Sequence, residues 1–206
     1  MIKIENVEVV GWESAIRGMR NPMNSWDKSD SCKNFDTGVI AIGNNDLDLM
    51  KRLAKAGTDH RKFMRMIVVY ADVTAPLYWW KEADTYKVGT VRNSCSTMHK
   101  ITEKEFTLDD FSHEHLTPWN ETVLRNTIVE LNANREAFLK TKSKDDWWQM
   151  IQLLPSSYNQ KRTVQLNYQV LKSMYFARKD HKLDEWRTLC EWMLTLPYFK
   201  EICVDI

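Results

Sequence analysis

Ile2, Ile4, Val7 and Val9 form a short, partly alternating apolar run, the pattern of a half-buried first strand. The stretch from Gly11 to Asn45 is dense in Gly, Asn, Asp, Ser and Pro, which predicts loop interrupted by a short helix near Glu13 to Met19. Loops of that length usually carry function or cover a site. Leu47, Leu49, Met50, Leu53 and Ala54 share the inner face of a helix from Asp46 to Ala56, and Gly57 supplies its left-handed end. Phe63 to Val73 is rich in β-branched and aromatic residues and gives way to Pro76, as a central strand would.

Helical spacing dominates the second half. Thr102 with Glu105 reads as a capping box for a short helix, and Thr117-Pro118 as a cap followed by a first-turn proline. Val123, Leu124, Ile128, Leu131, Phe138 and Leu139 then trace one face of a long helix. Ser143 opens another, carrying Trp147, Trp148, Ile151 and Leu154 and closed by Pro155. Ser157 with Gln160 repeats the capping box, and the run through Val164, Leu171, Met174 and Tyr175 predicts a helix at the buried centre of the domain. A last helix spans Leu183 to Leu194, before Pro197, and no internal repeat or low-complexity segment is present.

A chain of 206 residues, 43% of them hydrophobic, can bury one substantial core, so residues 1–206 read as a single domain. With 29 basic and 28 acidic residues well mixed, the net charge of +1 gives no surface for nucleic acid or an anionic membrane. An anionic ligand must therefore be caught locally. The four cysteines, Cys32, Cys95, Cys190 and Cys203, have no C-x-x-C spacing and no companion histidine pair, which argues for reduced thiols over zinc or a disulfide framework. The N-terminus lacks a basic head with an apolar run, and no apolar stretch nears the roughly 20 residues that cross a bilayer, so a soluble, cytoplasmic protein is expected. Nine tryptophans, among them Trp79-Trp80 and Trp147-Trp148, suit cores and subunit interfaces better than ligand stacking.

Between Trp80 and Asn93 the chain reads WKEADTYKVGTVRN. This stretch resembles the signature of the flavin-dependent thymidylate synthases, R-H-R-x-x-S-x-N-E-x-S-x-R, with Thr85, Thr90 and Arg92 at its two hydroxyls and last arginine. The opening Arg-His-Arg is replaced by Trp80, Lys81 and Glu82, and the Asn-Glu pair by Lys87-Val88. The resemblance extends along most of the chain. A helix ending at Gly57 leads to His60 and Phe63, and the signature follows about twenty residues on; Leu154-Pro155, Asn167 and Arg178 then keep the family's order and intervals. Where the family has an N-x-R triplet, this chain has Asn167 and Gln169, and two further nucleotide contacts of the family fall on Leu77 and Ile151.

The resemblance implies an α/β (α+β) fold, with a central mixed sheet flanked by long helices and a helical C-terminal half, assembled as a homotetramer with active sites between subunits. It implies reductive methylation of dUMP to dTMP, with methylenetetrahydrofolate as carbon source and NADPH acting through bound FAD. Thr85, Thr90, Arg92 and Arg178 fall on or near the nucleotide, where hydroxyls and guanidinium forks would meet phosphate oxygens. His60, Trp80, Lys81, Asn167 and Gln169 fall on the cofactor side. There two cations are lost at Trp80 and Glu82 and another at Gln169, and a carboxylate near a pyrophosphate opposes binding by Coulomb repulsion.

Other constellations carry less. His113-Glu114-His115 lacks a third ligand at metal-site spacing and reads as a solvated loop, so no metal is expected. Cys95 lies close to Arg92 in sequence, yet no base is placed to activate it. His99, Asp180 and His181 receive no role, and the six glycines form no phosphate-binding loop. The expected function is a nucleotide-binding protein that lacks the standard flavin chemistry and sequesters or senses a nucleotide. The alternatives are a divergent FAD-dependent thymidylate synthase and an oligomeric scaffold without a ligand.

Overall fold

The alternating N-terminal run forms β1 (Lys3–Val10). Gly11 follows with φ at 92°, where a Cβ would stand 2.0 Å from the Met66 carbonyl oxygen, so only glycine lets the chain turn here. α1 (Trp12–Arg20), the short helix expected near Glu13 to Met19, buries Trp12, Ala15, Ile16 and Met19 along one face. 3₁₀ turns at Asn21–Met23 and Trp26–Lys28 follow, then an antiparallel ribbon of β2 (Cys32–Lys33) and β3 (Ile40–Ala41). The structure, a computed structural model, describes residues 1–34, 38 and 40–206, and the part of the expected loop at 35–37 and 39 lies outside them.

A buried ion pair orders the described part of this loop. Arg20, 3% exposed, donates from Nε to Asp46 at 2.7 Å and from its two Nη atoms to the carbonyls of Ser25 and Lys28 at 3.1 and 3.0 Å. The second Asp46 oxygen accepts from the Ser29 hydroxyl at 2.8 Å, the amides of Asp30 and Ser31 at 3.1 and 3.0 Å, and the Ser31 hydroxyl at 2.6 Å. Burial alone would raise the Asp46 pKa, but bonds from Ser31, Ser29, Arg20 and Asp30 together hold it below the usual carboxylate range. Asp30 in turn accepts from the amides of Asn45 and Asp46 at 2.9 and 3.1 Å, satisfying donors at the start of α2 (Asn44–Lys55). The polar residues that made this stretch look like loop are the ones that fix its path.

The expected strand from Phe63 to Val73 is displaced along the chain. Arg61–Arg65 is a 3₁₀ turn that buries Phe63 and Met64, and β4 spans Val68–Pro76. α3 (Leu77–Ala83), β5 (Val91–Ser94) and α4 (Thr97–Lys100) follow. No helix opens at Thr102: the reciprocal capping box is made by Thr107 and Asp110 at a 3₁₀ turn, Leu108–Asp110. α5 (Pro118–Thr141) starts at the Thr117 cap and buries Leu124, Ile128 and Leu131, while Val123 and Leu139 of the expected apolar face turn outward. α6 (Lys144–Leu153) starts at Ser143 as expected.

The helix expected from Ser157 is overturned over its first half. Residues Asn159–Asn167 form β6, where Gln160, Val164 and Leu166 are buried at strand spacing. Partner strands on both sides satisfy its backbone, a stabilisation that local pattern cannot reveal. α7 (Tyr168–Arg178) begins only after Asn167, whose side chain accepts from the Val170 amide at 3.0 Å. α8 (Asp184–Met193) and a π-helical turn at Lys200–Val204 complete the chain. The four-stranded sheet has the order β1-β4-β6-β5. Its pairing is antiparallel: the Tyr168 amide beyond the end of β6 donates to Ile67 ahead of β4 at 3.1 Å, and Cys95 beyond β5 donates to Lys161 early in β6 at 2.9 Å. The α+β class with a central sheet and a helix-rich C-terminal half therefore stands, on antiparallel strands.

The chain packs as two compact units, each drawn from several segments: residues 1–4, 72–85 and 93–163, and residues 5–71, 86–92 and 164–206. The first has a core of Ile101, Phe106, Phe111, Leu124, Ile128, Leu131 and Met150, and in it α5 packs on α6. The second is built around Tyr168, fully buried, whose ring meets Trp12 and Phe199 edge-on, each at 5.4 Å, while its hydroxyl donates to the Pro197 carbonyl at 2.6 Å. No described helix is long and apolar enough to cross a membrane.

Candidate functional site

In the first unit, Pro76 directs the chain into α3, whose first amides, Leu77 and Tyr78, donate to the carbonyls of Tyr158 and Ser156, each at 3.0 Å. That anchorage seats Trp79 and Trp80 in the interior, edge to face at 4.8 Å. Trp80 is 1% exposed, its indole N–H donates to the Gln160 carbonyl at 2.9 Å, and the Arg162 guanidinium lies 4.2 Å over its ring. Asp84 holds Arg162 with bonds of 2.9 and 3.1 Å. Trp80 is thus a core residue with its ring face taken by protein. Lys81 is exposed, and Thr85 closes the helix by donating its hydroxyl to the Glu82 carbonyl at 2.8 Å.

In the second unit the turn Tyr86–Arg92 gathers three of the four expected nucleotide residues. Gly89 supplies a φ of 72°, and the Asn167 side chain, besides capping α7, donates to the Gly89 carbonyl at 3.4 Å. The Thr90 hydroxyl donates to the Tyr86 carbonyl at 2.6 Å, and Arg92 Nη1 donates to that carbonyl and to Thr90 Oγ1, each at 3.2 Å. Arg178, in the last turn of α7, donates from Nε to the Tyr86 hydroxyl at 3.0 Å. Its guanidinium lies 5.7 Å from the Tyr86 ring and 4.8 Å from that of Trp186. His181 meets Trp186 edge-on at 6.2 Å, and its Nδ1 accepts from the Leu183 amide at 3.1 Å just ahead of α8.

Thr90, Arg92 and Arg178 thus converge on one residue, Tyr86, whereas Thr85 belongs to the first unit. Sequence reasoning missed both rings. Tyr86 stands inside the signature stretch, and that place was its only signal; Trp186 had none, because it reaches Arg178 through the path of the chain between α7 and α8.

The remaining candidates lie apart in kind. His60 is exposed at the lip of a cleft of about 310 Å³ lined by Met19, Met23, Leu53, Phe63 and Met66. Gln169 donates to Ser173 Oγ at 3.4 Å, and its Oε1 is buried without a partner. Glu114 pairs with the N-terminal ammonium at 2.7 Å, His113 Nδ1 is 2.8 Å from the Phe111 carbonyl oxygen, and among the described residues no group of three or more ligating side chains could hold a metal.

The fold is that of the flavin-dependent thymidylate synthases. Thymidylate synthase X from Helicobacter pylori, solved with FAD and dUMP, superposes with a TM-score of 0.72 at 16% identity, over 100% of this chain and 98% of that one. A flavin-dependent thymidylate synthase from Helicobacter pylori complexed with FAD and dUMP gives 0.67 at 17% identity, over 98% and 99% of the two chains. No protein-family model matches the sequence, and no curated protein matches it.

Proposed function

We propose that this protein binds a nucleotide, or another phosphate-bearing small molecule, through Thr90, Arg92 and Arg178, and that it does not run the flavin reaction of the enzymes whose fold it has. Thr85 belongs to the same reading only as a neighbour of the turn. The observation that carries it is the convergence of one hydroxyl and two guanidinium groups on Tyr86, on a fold whose solved examples hold dUMP and FAD. Guanidinium forks match phosphate oxygens in geometry as well as charge. The Tyr86 and Trp186 rings flank Arg178 and limit its rotamers, which lowers the entropy lost when it engages an anion.

The residues at the flavin positions do not fit an anionic dinucleotide. Trp80 is enclosed in a core, Glu82 brings a negative charge, and Gln169 is a neutral amide on α7. Lys81 is the one cation that stands among Trp80, Lys81 and Glu82. A sequestering or sensing role, in a homotetramer, completes the proposal, and light scattering of the purified protein tests the assembly.

The functional test has two readouts. Purified protein is expected to lack flavin absorbance and to remain colourless after incubation with FAD. A nucleotide panel is expected to raise the unfolding temperature, by the equivalent of about 2.7 kcal/mol at a hundred times Kd. Retained FAD overturns the loss of flavin binding, and a nucleotide shift unchanged in both R92A and R178A overturns the site.

A further inference from the structure

We infer that the outward face of α5 is an interaction surface for a second copy of this chain, paired antiparallel about a two-fold axis at Asn126. The helix is 24 residues long and turns Leu124, Ile128 and Leu131 into the core of the first unit. Its opposite face is exposed and carries Trp119, Thr122, Asn126, Val129 and Ala133, at alternating steps of three and four. That spacing is the seam of a coiled coil, and none of the five residues is charged. Trp119 is 76% exposed, more than any other described tryptophan, and Val129 is 68% exposed. Val123, 50% exposed, widens the seam by one position. Thr122 donates its hydroxyl to the Pro118 carbonyl at 2.9 Å, so it asks for no polar partner across the seam.

The seam is complementary to itself in size. Asn126 stands at its centre, and a two-fold axis there sets Trp119 opposite the partner subunit's Ala133 and Val123 opposite the partner subunit's Val129. A large ring over a small side chain and two matched valines fill the space between the helices at native density. The two Asn126 amides meet on the axis, where a single seam asparagine fixes the register of a pair. A parallel pair would stack Trp119 on Trp119 at one end and leave Ala133 facing Ala133 at the other.

A second copy also answers the charge along the helix. Residues 111–121 hold Glu114 and Glu121 with neither lysine nor arginine, whereas residues 134–142 hold Arg135, Lys140 and Lys142 against the single Glu136. Antiparallel pairing sets the acidic end of each helix against the basic end of the other, and a parallel pair would set the basic ends together. Glu114 pairs with the N-terminal ammonium and Glu121 with Arg125 in their own chain, so the gain comes from the field of each end, to which the opposed helix dipoles add. The seam spans about 21 Å, and pairing it buries on the order of 800–1,000 Å² in total, at the lower edge of specific interfaces. That area suits one of the smaller contacts of a larger assembly, so the inference rests on the proposed homotetramer but not on its nucleotide site.

Cysteine cross-linking and light scattering of the full chain test the pairing. In a C32S/C95S background, which removes the exposed thiols, N126C is expected to form a disulfide-linked dimer under mild oxidation. V129C is expected to cross-link more slowly, because its own copy is offset along the seam. A133R and W119A are expected to halve the mass of the assembly at micromolar concentration, with the dissociation constant raised roughly tenfold or more. Both positions are exposed, so the helical content should be retained. Should A133R fail to fold, W119A and N126C decide. V129C cross-linking as fast as N126C, or a tetramer that A133R and W119A leave intact, overturns the pairing while the homotetramer stands. A wild-type monomer at every concentration assigns the face to a different chain and overturns both.

Discussion

Arg178 Nε donates to the hydroxyl of Tyr86 at 3.0 Å, joining the last turn of α7 to the turn that leads into β5. The same tyrosine accepts through its carbonyl from Thr90 and Arg92. One residue therefore couples two arginines that stand far apart in sequence, and a ligand gripping either one acts on both.

Replacing Tyr86 by Phe removes the hydroxyl and keeps the ring, and is expected to cost about 0.5–1.5 kcal/mol in urea unfolding. R178A loses that bond and both ring contacts and should cost about 1–3 kcal/mol. The double variant should be less destabilised than the sum, because both single changes break the same bond. Strict additivity would show that the two side chains are energetically independent.

The Arg20–Asp46 pair is 3% and 0% exposed, and removing either charge strands the other. R20M or D46N is expected to cost about 3–5 kcal/mol. The Asp46 pKa is depressed in the folded state, so its stabilisation is complete above the ordinary carboxylate range and is lost as pH falls through the depressed value. D46N should therefore flatten the acid limb of the stability–pH curve, as measured by denaturation at a series of pH values. An acid limb as steep as that of the wild type would assign acid sensitivity to other carboxylates.

At Gly89 a Cβ would stand 2.8 Å from Asn167 Nδ2 with φ at 72°. G89A should destabilise by about 1–2 kcal/mol, from left-handed strain and displacement of the Asn167 cap. Because the turn carries Thr90 and Arg92, nucleotide affinity should fall with it. Full affinity in a destabilised G89A protein would detach the turn from binding.

The thiols divide by burial: Cys32 and Cys95 are exposed, Cys190 and Cys203 buried. Burial raises Cys190 to about 11 and Cys203 to about 12. Alkylation of the folded protein followed by mass spectrometry should label Cys32 and Cys95 and spare the other two until unfolding. Since the buried thiols stay protonated where unfolded ones ionise, stability should fall as pH rises above the ordinary thiol range. Rapid native labelling of Cys203 would contradict its burial.

Local chemistry determined much of this protein before any tertiary contact was known. The alternation of Ile2 to Val9, the Gly57 stop and the caps at Thr117 and Ser143 marked β1, α2, α5 and α6, because periodicity and unsatisfied backbone groups act within a few residues. The resemblance carried by Thr90, Arg92, Asn167 and Arg178 pointed to the fold. Tertiary structure decided what depends on partners distant in sequence. It made Asn159–Asn167 a strand by pairing it on both sides, where the capping-box pattern and apolar spacing had predicted a helix. It ordered the loop after α1 through Asp46, enclosed Trp80 under Arg162, and brought Thr90, Arg92 and Arg178 to Tyr86 while leaving Thr85 on Glu82. Those outcomes rest on burial and hydrogen-bond satisfaction summed over the folded chain, quantities that no short stretch of sequence contains.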